Sequence, residues 1–165
     1  VMTNMGFSKF CEANGIDFVS TKVGDRYVLE SMLQNGYNIG GEQSGHIIFL
    51  DHSTTGDGEL SGAMLLSIMK RTGEKLSDLA KIMERYPQVL INVKVSNEGK
   101  LSFYTDKEVK AEINRVTEIL GDTGRILVRV SGTEPLVRVM LEGENLEQIQ
   151  TLAEEAAQVV RERLA

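Results

Sequence analysis

The chain has 165 residues, 41% of them apolar and 25% charged, and a net charge of −6 from 18 basic and 24 acidic side chains. That length and composition suit one domain or two small ones, each with a real core. The acidic balance argues against nucleic acid as the main partner, and no run approaches the ~18 apolar residues of a membrane helix. A single cysteine rules out an internal disulfide, and a reducing, cytoplasmic setting is expected.

Residues 1–5, VMTNM, read as a strand. No signal peptide precedes them, and a start at Val1 suggests a piece of a longer protein. A helix is expected over about 7–14, where Cys11 stands among Phe7, Phe10 and Ala13 as a small buried hydrophobe rather than a nucleophile. A short strand over about 16–22 leads to VGDRY at 23–27 and a helix over about 26–35. Asp25 reads as a cap for that helix; Arg26 is open between solvent and a ligand at the helix start. The apolar run IIFL within a strand over about 45–50 is expected of a strand covered on both faces. A helix over about 59–72 follows, with Asp57 its cap. The run LSDLAKIMERY reads as helical until Pro87, which forces the residue before it out of helical geometry. Strands interleaved with helices suggest an α/β layer structure for residues 1–86.

Beyond that boundary, residues 87–165 read as a small β-α-β-β-α domain. An alternating strand spans 88–95, and SNEGK connects it to a helix opened by a capping box at Thr105–Glu108, with Val109, Ile113, Val116 and Leu120 as its stripe. Gly121 and Gly124 end that helix; strands over 125–130 and 136–142 and a long amphipathic helix from about 146 complete the domain. Each half of the chain carries −3, so charge does not distinguish them.

Two clusters carry chemistry. GRILVRVSGTEP at 124–135 ends a strand in Arg129, Ser131, Gly132 and Thr133. Alternation sends Ile126, Val128 and Val130 to one face and Arg129 to the other, beside hydroxyls and backbone N–H groups that can converge on an anion. A plain hairpin turn uses the same residue types, so both readings stand. Arg138 on the returning strand either seconds a phosphate or pairs with Glu142. GGEQSGH at 40–46 sets a carboxylate, an amide, a hydroxyl and an imidazole among three glycines, a set suited to sugar hydroxyls and proton transfer, although a lone histidine such as His46 is more often structural. His52 has no such company and is expected at the surface. No GxxxxGK[ST], GxGxxG after a strand, HExxH or CxxC is present.

VGDRYV, GGEQSGH and RVSGTEPLVRVM, in that order, resemble the C-terminal part of the bacterial phosphoglucosamine mutases of the α-D-phosphohexomutase superfamily. The resemblance implies most of an α/β mixed-sheet third domain, truncated at its start, followed by the fourth. It implies an isomerase that interconverts glucosamine 6-phosphate and glucosamine 1-phosphate for peptidoglycan precursors. A phosphoserine in the first domain, a Mg²⁺ in the second and a glucosamine 1,6-bisphosphate intermediate would do the chemistry. Neither the serine loop nor a DGDxDR-like loop occurs in this chain. By the same resemblance Glu42, Ser44, His46 and Arg26 would face the sugar, His46 as proton shuttle. Arg129, Ser131, Gly132, Thr133 and Arg138 would hold the phosphate that does not react. Implied partners are a phosphosugar and the enzyme's N-terminal domains, with no nucleic acid and no membrane; a homodimer is open. The alternatives are a mannose- or glucose-phosphate relative, which the glutamine at Gln43 disfavours, and a non-catalytic phosphosugar-binding module.

Overall fold

The computed structural model describes residues 1–165, which divide into two compact units, Val1–Arg85 and Tyr86–Ala165. In the first unit the helices α1 (Met5–Ala13) and α2 (Asp25–Asn35) precede a hairpin of β1 (Ile39–Gly41) and β2 (Ile47–Phe49), then α3 (Gly58–Thr72) and the single turn α4 (Leu76–Leu79). β1 and β2 are antiparallel, with Gly40 opposite Ile48. Beneath them Val28 and Met32 of α2 join Ile48 in a small core. Gly40 is required here: a Cβ would sit 2.4 Å from Met32 Sδ and 2.6 Å from Val28 Cγ1. Its absence lets β1 lie directly on α2.

This α/β unit holds fewer strands than the sequence suggests. Residues 1–4 and 16–22 form no ladder, although the Val1 amino group donates to the Thr21 carbonyl at 2.9 Å. A strand exists only by pairing, and apolar spacing does not supply the partner. Helix α1 begins earlier than expected because Asn4 caps it, its Oδ1 accepting from the Gly6 amide at 3.1 Å. The cap expected at Asp57 is present, with Oδ1 accepting from the Leu60 amide at 2.9 Å. IIFL is not covered on both faces, since Ile48 is 2% exposed but Ile47 38%. The helix expected up to Tyr86 is cut to Leu76–Leu79, so Pro87 terminates nothing; Lys75 at its cap position supplies no side-chain cap and the segment stops after one turn.

The second unit is a three-stranded antiparallel sheet in the order β3-β5-β4, with β3 Gln88–Lys94, β4 Gly124–Val130 and β5 Leu136–Gly143. The short α5 (Asn97–Ser102), α6 (Lys107–Leu120) and α7 (Leu146–Leu164) complete it. This is the β-α-β-β-α order expected, with α5 inserted in SNEGK. Val137, Val139 and Leu141 of β5 are fully buried with Val116, Ile149 and Val160 of the helices. Each such side chain contributes roughly 1.5–3 kcal/mol of transfer free energy. Asp106, not Thr105, caps α6: its Oδ1 accepts from the Glu108 and Val109 amides, both at 3.0 Å, while the Thr105 hydroxyl donates backward to the Ser102 carbonyl. Arg163 of α7 reaches the other oxygen of Asp106 at 3.1 Å. Those contacts, the Val109 amide first, hold the Asp106 carboxyl below the ordinary aspartate value.

Candidate functional site

Period-two alternation on β5 sends Val137, Val139 and Leu141 into the core and Arg138, Met140 and Glu142 to the other face. Register then decides the neighbours. Arg129 of β4 stands directly opposite Arg138, and Arg125 directly opposite Glu142. Glu142, fully buried, is held by Arg125 through Nε at 2.8 Å and Nη2 at 2.7 Å. The pairing of Arg138 with Glu142 considered from the sequence is therefore not made: Arg138 Nη2 binds Glu134 Oε2 at 2.8 Å instead.

Two arginines face each other across β4 and β5, where like charges directly opposite are destabilising. One has Glu134; the Arg129 side chain has no hydrogen bond or ion pair. Arg138 Nε is buried without an acceptor, and such a donor retains its desolvation cost until something accepts its hydrogen. The adjoining loop is open where an anion would enter. Gly132 and Thr133 are exposed, and a Cβ on Gly132 would meet nothing within 4 Å. Ser131 is 3% exposed; its amide donates to the Leu136 carbonyl at 2.8 Å and its Oγ accepts from the Glu134 amide at 3.3 Å. The serine shapes the loop, and Thr133 is the hydroxyl that faces outward.

Sequence reasoning misses Lys100. Its Nζ donates to the Glu134 carbonyl at 3.0 Å. The available signal was Ser96, whose Oγ accepts from the Gly99 amide at 2.9 Å and so caps a helix in what reads as a connection.

In the first unit the turn between β1 and β2 is EQSGH, residues 42–46. The Glu42 amide donates to the His46 carbonyl at 2.9 Å and the Gly45 amide to the Glu42 carbonyl at 3.0 Å, with Gly45 at φ 99°, a conformation that favours glycine. Glu42 Oε1 accepts from the Gly24 amide at 2.8 Å, which joins this turn to the start of α2 and leaves Oε2 free to accept. Ser44 Oγ lies 3.0 Å from His46 Nδ1, so the hydroxyl orients the ring and Nε2 has no protein partner. A Cβ on Gly56 would lie 3.4 Å from the ring's Cδ2, an ordinary contact distance, so the 55–58 loop packs beside the imidazole. Asp25 is not the cap: Gly24 holds that position and Asp25 Oδ1 accepts only from the Arg26 amide at 2.8 Å. Arg26 Nε binds Glu30 at 3.1 Å with its side chain 79% exposed, and that contact raises its pKa further. Lys22, also unread in the sequence, lies with its ammonium 6.0 Å from the Tyr27 ring centre and lines a small crevice with Thr21, Glu42 and Gln43. His52 is exposed, as expected, and Cys11 is buried.

Residues 1–86 match the family described as phosphoglucomutase/phosphomannomutase, alpha/beta/alpha domain III, and residues 90–159 match the C-terminal domain of the same family. The chain belongs to the phosphoglucomutase/phosphomannomutase family. A phosphoglucosamine mutase of Caldanaerobacter subterraneus subsp. tengcongensis is 53% identical over 164 residues, 99% of this chain and 37% of that protein. One from Clostridioides difficile is 52% identical over 165 residues, 100% of this chain and again 37% of the relative. A solved structure of Aspergillus fumigatus N-acetylphosphoglucosamine mutase in complex with GlcNAc-6P and magnesium matches the fold with a TM-score of 0.81 at 18% identity, covering 100% of this chain and 38% of that one. The chain thus spans little more than a third of the length of the phosphoglucomutase/phosphomannomutase family members it resembles. Nowhere in it do three His, Cys, Asp or Glu side chains converge as a metal site, and no helix is long and apolar enough to cross a membrane.

Proposed function

We propose that this chain is the substrate-gripping, C-terminal part of a phosphoglucosamine mutase, the longer protein interconverting glucosamine 6-phosphate and glucosamine 1-phosphate in the cytoplasm. The observation that carries it is the pair Arg129–Arg138, opposed across two strands beside an open Ser-Gly-Thr loop, with Arg129 lacking any counter-ion. A phosphate dianion removes the like-charge repulsion and accepts from both guanidinium groups. Thr133 and the amides of the exposed loop supply the remaining donors, while Ser131 holds the loop's shape. At the other candidate cluster Glu42 Oε2 accepts from a sugar hydroxyl, and His46, oriented by Ser44, moves a proton at Nε2. Arg26 joins this cluster once its exposed contact with Glu30 opens, which costs little.

Domain roles follow: 1–86 binds sugar and 87–165 binds phosphate. Phosphoryl transfer needs a donor and charge neutralisation. The donor serine and the Mg²⁺ site are assigned to the rest of the longer protein, and a glucosamine 1,6-bisphosphate intermediate would present its non-reacting phosphate to the loop described here. The relatives' name and the glutamine at Gln43 support glucosamine over mannose or glucose. Profiling the full-length protein on glucosamine, mannose and glucose 6-phosphates tests this. Highest kcat/KM on glucosamine 6-phosphate is expected; a clear preference for another sugar sinks the assignment.

A further inference from the structure

The phosphate loop already contains an anion. Glu134 stands in the loop itself, and its Oε2 lies 2.8 Å from Arg138 Nη2, occupying one of the two guanidinium groups assigned above to phosphate. Glu134 is held from a second side, because its backbone carbonyl accepts from Lys100 Nζ at 3.0 Å. The ammonium therefore lies beside residue 134 but bonds to its main chain, while the carboxylate faces the arginine. Packing fixes the backbone from which Lys100 extends. Gly99, the residue before it, lies so close to the end of α7 that a Cβ would be 2.0 Å from the Leu164 carbonyl oxygen, and the Ser96 amide donates to that same carbonyl at 3.1 Å. The carboxylate is 53% exposed, so nothing packed around it prevents it from moving.

We infer that Glu134 is a resident counter-anion of the phosphate loop, displaced from Arg138 when phosphate binds and received by Lys100. This rests on the reading of the loop as a phosphate site. In the empty loop Glu134 cancels one of two opposed positive charges, which keeps Arg138 folded over the loop. A phosphate dianion offers Arg138 more charge and more acceptor oxygens than one carboxylate. The freed carboxylate then needs a cation, and Lys100 is the one beside it. A ligand must therefore outcompete Glu134, which sets a threshold of charge for binding.

Inorganic phosphate titrated calorimetrically into the 165-residue chain tests this, with Glu134→Gln, Lys100→Met and the double variant. Glu134→Gln keeps the side chain's size and hydrogen bonding but removes the competitor, so phosphate should bind roughly two- to five-fold tighter, the range of an exposed ion pair. Lys100→Met should weaken binding by a similar factor when Glu134 is present and have little effect in the Glu134→Gln background. A lysine acting only through its general positive charge would weaken binding equally in both backgrounds, and that result overturns the relay. Unchanged or weaker binding by Glu134→Gln overturns the competition. If neither the parent nor any variant binds phosphate, the phosphate reading of the loop fails and this inference with it, a different outcome from loss of coupling alone.

Discussion

Arg129 and Arg125 occupy the same strand face, four residues apart, and their surroundings give them opposite roles. Arg125 is the partner of a fully buried carboxylate, Glu142. Removing one member of such a pair leaves a buried charge uncompensated, so Arg125 is a stability residue and not a neutral surface charge. The Arg129 side chain has no protein partner at all. Arg129→Lys keeps the charge and loses the planar fork, which on the proposed reading takes two phosphate oxygens, so in the full-length protein it should weaken substrate affinity about ten-fold or more. Its stability should move by less than about 0.5 kcal/mol. Michaelis constants and thermal unfolding of the two lysine variants separate the roles. Arg125→Lys should lose stability first; equal changes of both kinds in both variants would mean the loop is only a turn.

Among the elements, α5 is the least expected and the most dependent on a single residue. Gly99→Ala places a Cβ 2.0 Å from the Leu164 carbonyl oxygen, a backbone atom that cannot step aside as a side chain can. Forced overpacking of this kind costs about 1–3 kcal/mol. Urea unfolding should show that loss, and an unchanged midpoint would mean α5 is not seated on α7. The joint between α6 and α7 has a pH signature. Asp106 caps α6 and binds Arg163, and its carboxyl lies below the ordinary value of 3.8 in the folded state. A depressed folded value means the contribution is complete above 3.8 and is lost as pH falls through the lower folded value. Asp106→Asn keeps cap acceptors for the Glu108 and Val109 amides but has no charge to titrate. The stability gap between parent and Asp106→Asn should therefore narrow from pH 7 down to pH 3, measured by urea unfolding at each pH; a constant gap would place the cause elsewhere.

At the scale of the whole molecule the division into Val1–Arg85 and Tyr86–Ala165 falls in a segment without helix or strand. Glu84 and Arg85 are exposed, whereas the Pro87 carbonyl accepts from the Gly143 amide at 3.2 Å and so ties the next residues to the second unit's sheet. Trypsin should cleave first after Arg85 and release a folded C-terminal piece beginning at Tyr86, read by mass spectrometry and by retained cooperative unfolding. First cuts elsewhere, with 84–90 protected, would count against two independently folding units.

The sequence by itself determined the features whose causes are local. Asp57 caps its helix because a side chain reaches its own neighbouring amides, and the alternation in 88–94 and 124–143 is legible because a pleated strand turns each residue to one of two faces. The phase of Arg129, opposite to Ile126, Val128 and Val130, follows from the same rule. Tertiary structure decided what depends on a distant partner. Residues 1–4 and 16–22 have strand-like sequences, yet strands arise only where another segment offers a ladder. Glu142 chose Arg125 over Arg138 because register set them opposite each other, and Arg138 took Glu134, four residues back along the chain. Glu42 braces the Gly24 amide 18 residues away, and Lys100 reaches Glu134 across 34. Such contacts depend on how the chain returns upon itself, because a side chain's range is a few ångströms while the separation it bridges is set by the path of the whole fold.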